Sequence, residues 1–197
     1  YTLGDLFEWH QRYVDNGSIY KTQQDFQNIV NLPLLTGPAE KLILEILNIP
    51  SLHLLLGVTD KLLNELGNHL RPSQGKDEGE AWVEAFLKEN HIIRKQKQGK
   101  QALEGNQCDE LLKTVDILEM SLQKEGGEAL INGLPYVETF RRFKDVVDSC
   151  FRVDLQEGYQ DAIDKFEAAY KELEISTTPK VHITIKHVPQ FLSLIHI

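Results

Sequence analysis

The sequence predicts an all-α fold, with eight to nine helices packed around one central apolar helix over residues 51–70 and little or no sheet. Three observations predict it. Apolar residues recur three and four apart through most of the 197 residues, the spacing that lines one face of a helix. Strand-like alternation runs no further than residues 181–185, whose flanks fit a helix better. Gly, Pro and Asn punctuate the chain at helix-length intervals, with no internal repeat or low-complexity tract.

Residues 3–14 place Leu3, Leu6, Phe7, His10 and Val14 on one side, and Asn16-Gly17 closes that helix with a left-handed cap. Thr22 caps a second helix, whose apolar side is Phe26, Ile29 and Val30 and whose limit is Pro33. Residues 34–38 connect it to a brief amphipathic helix over 39–47, ended by Asn48-Ile49-Pro50. Ser51 then caps the most apolar helix. Leu52, Leu54, Leu55, Leu56, Val58, Leu62, Leu63 and Leu66 leave almost no polar side in its first half, the pattern of an interior helix. Gly57 costs that helix about 1 kcal/mol relative to Ala, which points to a close backbone crossing there. His53 reads as a core histidine bonded to a carbonyl or carboxylate.

Residues 71–80, RPSQGKDEGE, read as a polar loop, followed by a helix over 81–89 with Trp82, Val83, Phe86 and Leu87 inward. Gly105-Asn106 is a turn signal, and Asn106 caps a helix over 107–123. Cys108 shares its apolar stripe with Leu111, Leu112, Val115, Leu118 and Leu122, so it reads as packing rather than as a nucleophile. Gly126-Gly127 breaks the chain. Two long amphipathic helices follow, over 134–151 and 156–173, and Thr177-Thr178 leads into a last one at Pro179.

Two clusters carry candidate chemistry. His182 and His187 stand between Pro179, which can open a helix, and Pro189, which can only kink or end one. Residues five apart on an α-helix diverge by about 140°, so the two rings converge on one metal only through a bend at Pro189 or an ion beyond the helix end. Otherwise they are two imidazoles hydrogen-bonded inside a helix interface. The second cluster is Arg94, Lys95, Lys97 and Lys100. It is either a solvated turn or a phosphate-contacting one, where each cation releases counterions from DNA.

A net charge of −9 argues against a general nucleic-acid-coating protein. Cys108 and Cys150 are the only cysteines, so no disulfide framework is implied and a reducing, intracellular compartment is expected. No apolar run reaches the roughly 18 residues of a membrane span, and no signal peptide is expected. Glycine-rich phosphate loops, Cys-x-x-Cys and His-Glu-x-x-His are absent, and no catalytic residue stands out. The chain opens on Tyr1 and stops in mid-pattern. The expectation is one helical region over 1–192 belonging to a longer protein, with 193–197 a non-native or disordered tail.

Several stretches together resemble one family. Ile49-Pro50-Ser51-Leu52-His53-Leu54-Leu55-Leu56-Gly57 is similar to "P-S-I-D-A-L-H-C-D-I-G" of the V(D)J recombinase catalytic subunit. A basic run, a Gly-Asn and a leucine-rich helix follow in both, here Arg94 to Lys100 and then Gly105-Asn106-Gln107-Cys108-Asp109-Glu110-Leu111-Leu112. His182-Ile183-Thr184-Ile185-Lys186-His187-Val188-Pro189 resembles that subunit's "H-K-T-L-A-H-V-P". The "P-x-L-H-L-L-L-G" and "P-K-V-H" phrases also resemble transposase-derived invertebrate proteins.

The resemblance to Transib transposases and their recombinase relatives implies a nuclear DDE enzyme with an RNase H-like core. Three carboxylates there hold two divalent metals, Mg or Mn, for DNA cleavage and strand transfer. This chain would be the helical insertion between the second and third carboxylates. In that insertion a Cys-x-x-Cys pair and two histidines share a structural zinc, so His182 and His187 would be half of the site. Cys108 and Cys150 match neither cysteine position. DNA is the implied partner, through Arg94, Lys95, Lys97 and Lys100, and a homodimer is admitted. Two other readings compete: a helical protein–protein interaction module with no metal or nucleic acid, and a helical enzyme with a pocket gathering His53 and carboxylates.

Overall fold

The structure is a computed structural model that describes residues 2–15, 17, 37–40, 51–97, 100–152 and 155–195. It is all-α. Its helices are α1 (Leu3–Asp15), α2 (Ser51–His69), α3 (Lys76–Glu89), α4 (Gly105–Lys113), α5 (Val115–Glu125), α6 (Gly127–Cys150), α7 (Tyr159–Glu172), α8 (Pro179–His182) and α9 (Val188–Ile195). A π-helical turn, Ile183–His187, joins the last two. The sheet among the described residues is one antiparallel hairpin, β1 (Lys95–Lys97) with β2 (Lys100–Ala102). The helix expected from Thr22 to Pro33, and most of the one expected over 39–47, lie outside the described residues.

The chain divides into two compact units, one of residues 1–49 with 194–197 and one of residues 50–193. In the first, Thr2 and Asp5 form a capping box. Thr2 N–H donates to the Asp5 carboxylate at 2.7 Å, and Asp5 N–H donates to the Thr2 hydroxyl at 3.2 Å. Gly17 ends the helix region as expected, at φ 72° with its N–H on the Val14 carbonyl. Leu3 is buried, whereas Phe7 and Val14, expected on the apolar side, are exposed.

In the second unit α2 packs against α3, α4, α6 and α8, as expected of an interior helix. It shares that interior with α6, which packs against α2, α4, α5 and α7. Leu54, Leu55, Val58, Leu62, Leu63 and Leu66 are buried, and Leu52 is exposed. His53 is exposed at the first turn of α2, so it is not the core histidine that the sequence suggested.

Three expected boundaries moved, each for a local reason. The polar stretch 71–80 is a loop only to Gly75. α3 starts at Lys76, and Asp77 and Glu78 in its first turn favour the helix dipole. The helix expected over 107–123 is split at Thr114, whose hydroxyl donates to the Leu111 carbonyl at 2.9 Å and whose backbone is at ψ 12°. Gly105 and Asn106 are already helical behind Glu104, yet the stripe from Cys108 to Leu122 is buried as expected. α6 begins at Gly127, well before Leu134, and runs through Pro135. Gly126 and Gly127 at φ 67° and 52° make the break from α5. Pro135 brings no N–H to the Ile131 carbonyl, on a side of α6 where Ile131 and Leu134 are exposed.

The close backbone crossing exists, but at Gly67 and Gly79 rather than at Gly57. A Cβ on Gly79 would lie 2.1 Å from the Gly67 carbonyl oxygen, so α2 and α3 touch backbone to backbone. At Gly57 the space is filled by the Lys180 side chain, whose Cδ lies 1.8 Å from where a Cβ would be. Between α6 and α7 the core is aromatic. Phe143 and Phe166 are fully buried with centroids 5.2 Å apart, and Phe166 stands 5.9 Å from Tyr170.

Candidate metal centre

The last helical segment starts on Thr178, whose hydroxyl accepts from Val181 N–H, with Pro179 at the first helical position. Val181, Thr184, Ile185, Val188 and Leu192 are its buried side. Thr184 turns its hydroxyl back to the Lys180 carbonyl at 2.9 Å.

The turn between the histidines is not α-helical. Val188 N–H bonds to the Ile183 carbonyl, five residues back instead of four. Pro189 supplies a reason, since in α geometry its ring would press on the Ile185 carbonyl, and a wider turn ahead of it relieves that contact. A turn closed at i→i+5 brings residues five apart one above the other. His182 and His187 therefore share one side, with ring centroids 5.1 Å apart and planes at 72°. The α-helical divergence expected from their spacing does not arise, and the convergence comes from the π turn rather than from a bend at Pro189.

The pair suits a shared metal. Two imidazoles on one tetrahedral zinc, with Zn–N bonds of about 2.0–2.1 Å, hold their centroids roughly 5 Å apart. His182 is exposed and His187 half-buried, so an ion can reach both. His187 Nδ1 lies 3.1 Å from Gln190 Oε1. Among the described residues no group of three or more His, Cys, Asp or Glu is placed to hold a metal, so the pair is at most half a ligand set here. The cysteines do not complete it. Burial pushes the Cys108 thiol up to about 12, with Asp60 adding to the rise, and burial does the same for Cys150. Neither joins the histidine pair in a metal-holding group among the described residues.

Beside the pair, Glu167 holds Lys186 at 2.7 Å and Lys171 at 2.9 Å. Hydrogen bonds from Lys186 and Lys171 hold the Glu167 carboxyl below its ordinary value. A carboxylate lowered by folding adds stability above its unfolded pKa, about 4.3, and that stability is lost as pH falls through the folded pKa. Glu167→Gln is expected to cost less than about 1 kcal/mol at neutral pH, because both lysines are largely exposed. Urea titrations of both proteins should converge below pH 4, and a gap that widens in acid would contradict the assignment.

Two of the four basic candidates have acidic partners. Arg94 donates to Glu84 at 2.7 Å and to Asn64 at 3.3 Å, and Lys95 pairs with Glu104 at 2.8 Å. Lys97 and Lys100 are register partners at the hairpin tip.

One polar site has no local signal in the sequence. His69 Nδ1 lies 2.8 Å from the Glu65 carbonyl oxygen and 2.9 Å from the Tyr136 hydroxyl. The two side chains border an open groove of about 260 Å³ with Ile131, Pro135, Glu172 and Leu173. Burial, then the nearby Glu65 charge, raises the Tyr136 phenol, which keeps it neutral. Burial also works to raise Glu65, but hydrogen bonds from Lys61 and Asn68 outweigh it and hold the carboxyl below its ordinary value. His69 and Tyr136 are 67 residues apart, so only packing brings them together.

No helix among the described residues is long and apolar enough to cross a membrane. Comparison with known protein families, with curated proteins and with solved structures gives no match to this chain.

Proposed function

We propose that the chain is the helical insertion of a Transib- or recombinase-like DNA-processing protein, in which His182 and His187 supply two ligands of a structural zinc. The observation that carries this reading is the π turn, which aligns two histidines whose α-helical spacing would part them. The other two ligands would be a Cys-x-x-Cys pair, which this chain does not contain. Bound zinc would supply a cross-link and folding energy, not a chemical step. Catalytic carboxylates with Mg or Mn would belong to the parent enzyme, and a nuclear location follows from that role. Any DNA contact by Arg94 and Lys95 would require them to exchange Glu84 and Glu104 for phosphate, and Lys97 and Lys100 would complete the contacting set.

The test is cobalt or zinc titration of the 197-residue protein, alone and with a Cys-x-x-Cys peptide added. Binding should tighten with the peptide, and His182→Ala or His187→Ala should each weaken it at least about tenfold, the scale of losing one anchoring group. Metal binding indifferent to both substitutions sinks the reading.

A second reading, a helical interaction module without metal or nucleic acid, is favoured by Ile117, Met120, Ile131 and Leu134, exposed on α5 and α6. It expects a melting temperature unmoved by zinc or by chelator.

A further inference from the structure

We infer that Gln190 is a positioning residue that holds His187 in the Nδ1–H tautomer and so makes Nε2 its metal-binding atom; the metal half of this inference rests on the zinc reading above.

The argument starts from what each atom can do. Gln190 Oε1 lies 3.1 Å from His187 Nδ1. An amide oxygen only accepts, so the contact is a hydrogen bond only when Nδ1 carries the proton. In the neutral ring the lone pair then sits on Nε2, and a lone pair is what a metal takes. Metal-bound histidines ordinarily give the other ring N–H to an oxygen acceptor, which orients the ring and raises its basicity.

The chain presents Gln190 for this role. It stands three residues beyond His187, in the first turn of α9. Val188 and Leu192, on either side of it, are buried and anchor that turn, and Pro189 fixes its own φ between them. The π turn thus has two consequences. It lifts His187 onto the side of His182, and it leaves an oxygen from the next turn 3.1 Å from Nδ1, so that Nε2 is the nitrogen left for an ion. The same contact with the amide reversed would place the proton on Nε2 and block ligation, so the tautomer decides the matter.

The experiment uses the whole chain with ¹⁵N-labelled histidine. Ring nitrogen spectra of the metal-free protein at about pH 8, above the ordinary histidine pKa of about 6.5, read the tautomer directly. The expected result is His187 mainly as Nδ1–H, with Gln190→Leu losing that preference while the melting temperature holds. Zinc affinity should fall about 10- to 100-fold in Gln190→Leu, the usual scale for an orienting partner, and recover in Gln190→Glu, whose carboxylate accepts the same bond. His187 carrying its proton on Nε2, or a tautomer unchanged in Gln190→Leu, overturns the inference even if zinc binds. A fixed Nδ1–H tautomer in a protein that binds no zinc upholds the role of Gln190 and instead defeats the zinc reading.

Discussion

Gly79→Ala will destabilise this protein by about 2–3 kcal/mol, although the same change in an ordinary helix stabilises by roughly 0.5–1 kcal/mol. The sign reverses because of what the added methyl meets. Its carbon would sit 2.1 Å from the Gly67 carbonyl oxygen and 3.2 Å from the carbonyl carbon, both main chain. Neither can rotate away, so α2 and α3 must part along a contact that includes buried Val83, Phe86 and Leu87. For a chain of this size the shift is about 5–10 °C in Tm. Gly57→Ala is the control. There the obstacle is the Lys180 side chain, which can swing aside, so the gain in helix propensity should leave stability within about 1 kcal/mol. Thermal melts of the two variants decide. Equal effects would mean that α2 and α3 are not in backbone contact.

Phe143→Ala should cost more, about 3–5 kcal/mol, the range for deleting a buried aromatic ring. Phe143 is fully buried, and its ring lies 5.2 Å from that of Phe166 and 6.4 Å from that of Phe151. Its loss opens a cavity in the contact between α6 and α7, which also holds the Thr139 hydroxyl against the Ala169 carbonyl. Against a total stability of about 5–15 kcal/mol, this is about a fifth or more. Tm should fall by on the order of 10 °C. Phe143→Leu, which keeps most of the volume, should lose less than half as much. A loss under 1 kcal/mol for the alanine variant would show that α6 and α7 do not share this core.

The histidine pair shows where local reading reaches its limit. The residues His182, His187, Pro179 and Pro189 are visible as a motif, and so is the helix that carries them. Pro189 gives a local reason for the Val188 N–H to meet the carbonyl of residue 183 rather than of residue 184, but the motif does not by itself make that choice, and the direction of both rings turns on it. The basic run shows the same limit from the other side. Four cations in seven residues look like one patch, but Glu84 pairs with Arg94 and Glu104 with Lys95, which neutralises part of it. His69 and Tyr136 carry no pattern at all, because each is an ordinary residue of its own helix until α2 and α6 pack. Gly57 drew attention as the glycine of the most apolar helix. A glycine reports only that space is needed, not whether backbone or a passing lysine fills it.

By itself the sequence determined the helical class, the buried stripes of α2, α4, α5 and α7, the packing role of Cys108 and the end of α1 at Gly17. These follow from side chains three and four apart, and helix periodicity and capping act within one or two turns. The tertiary structure alone decided where α2 and α3 touch and which cations are already paired. Those outcomes depend on which distant groups compete for the same carbonyl, carboxylate or space, and that competition exists only once the helices are packed.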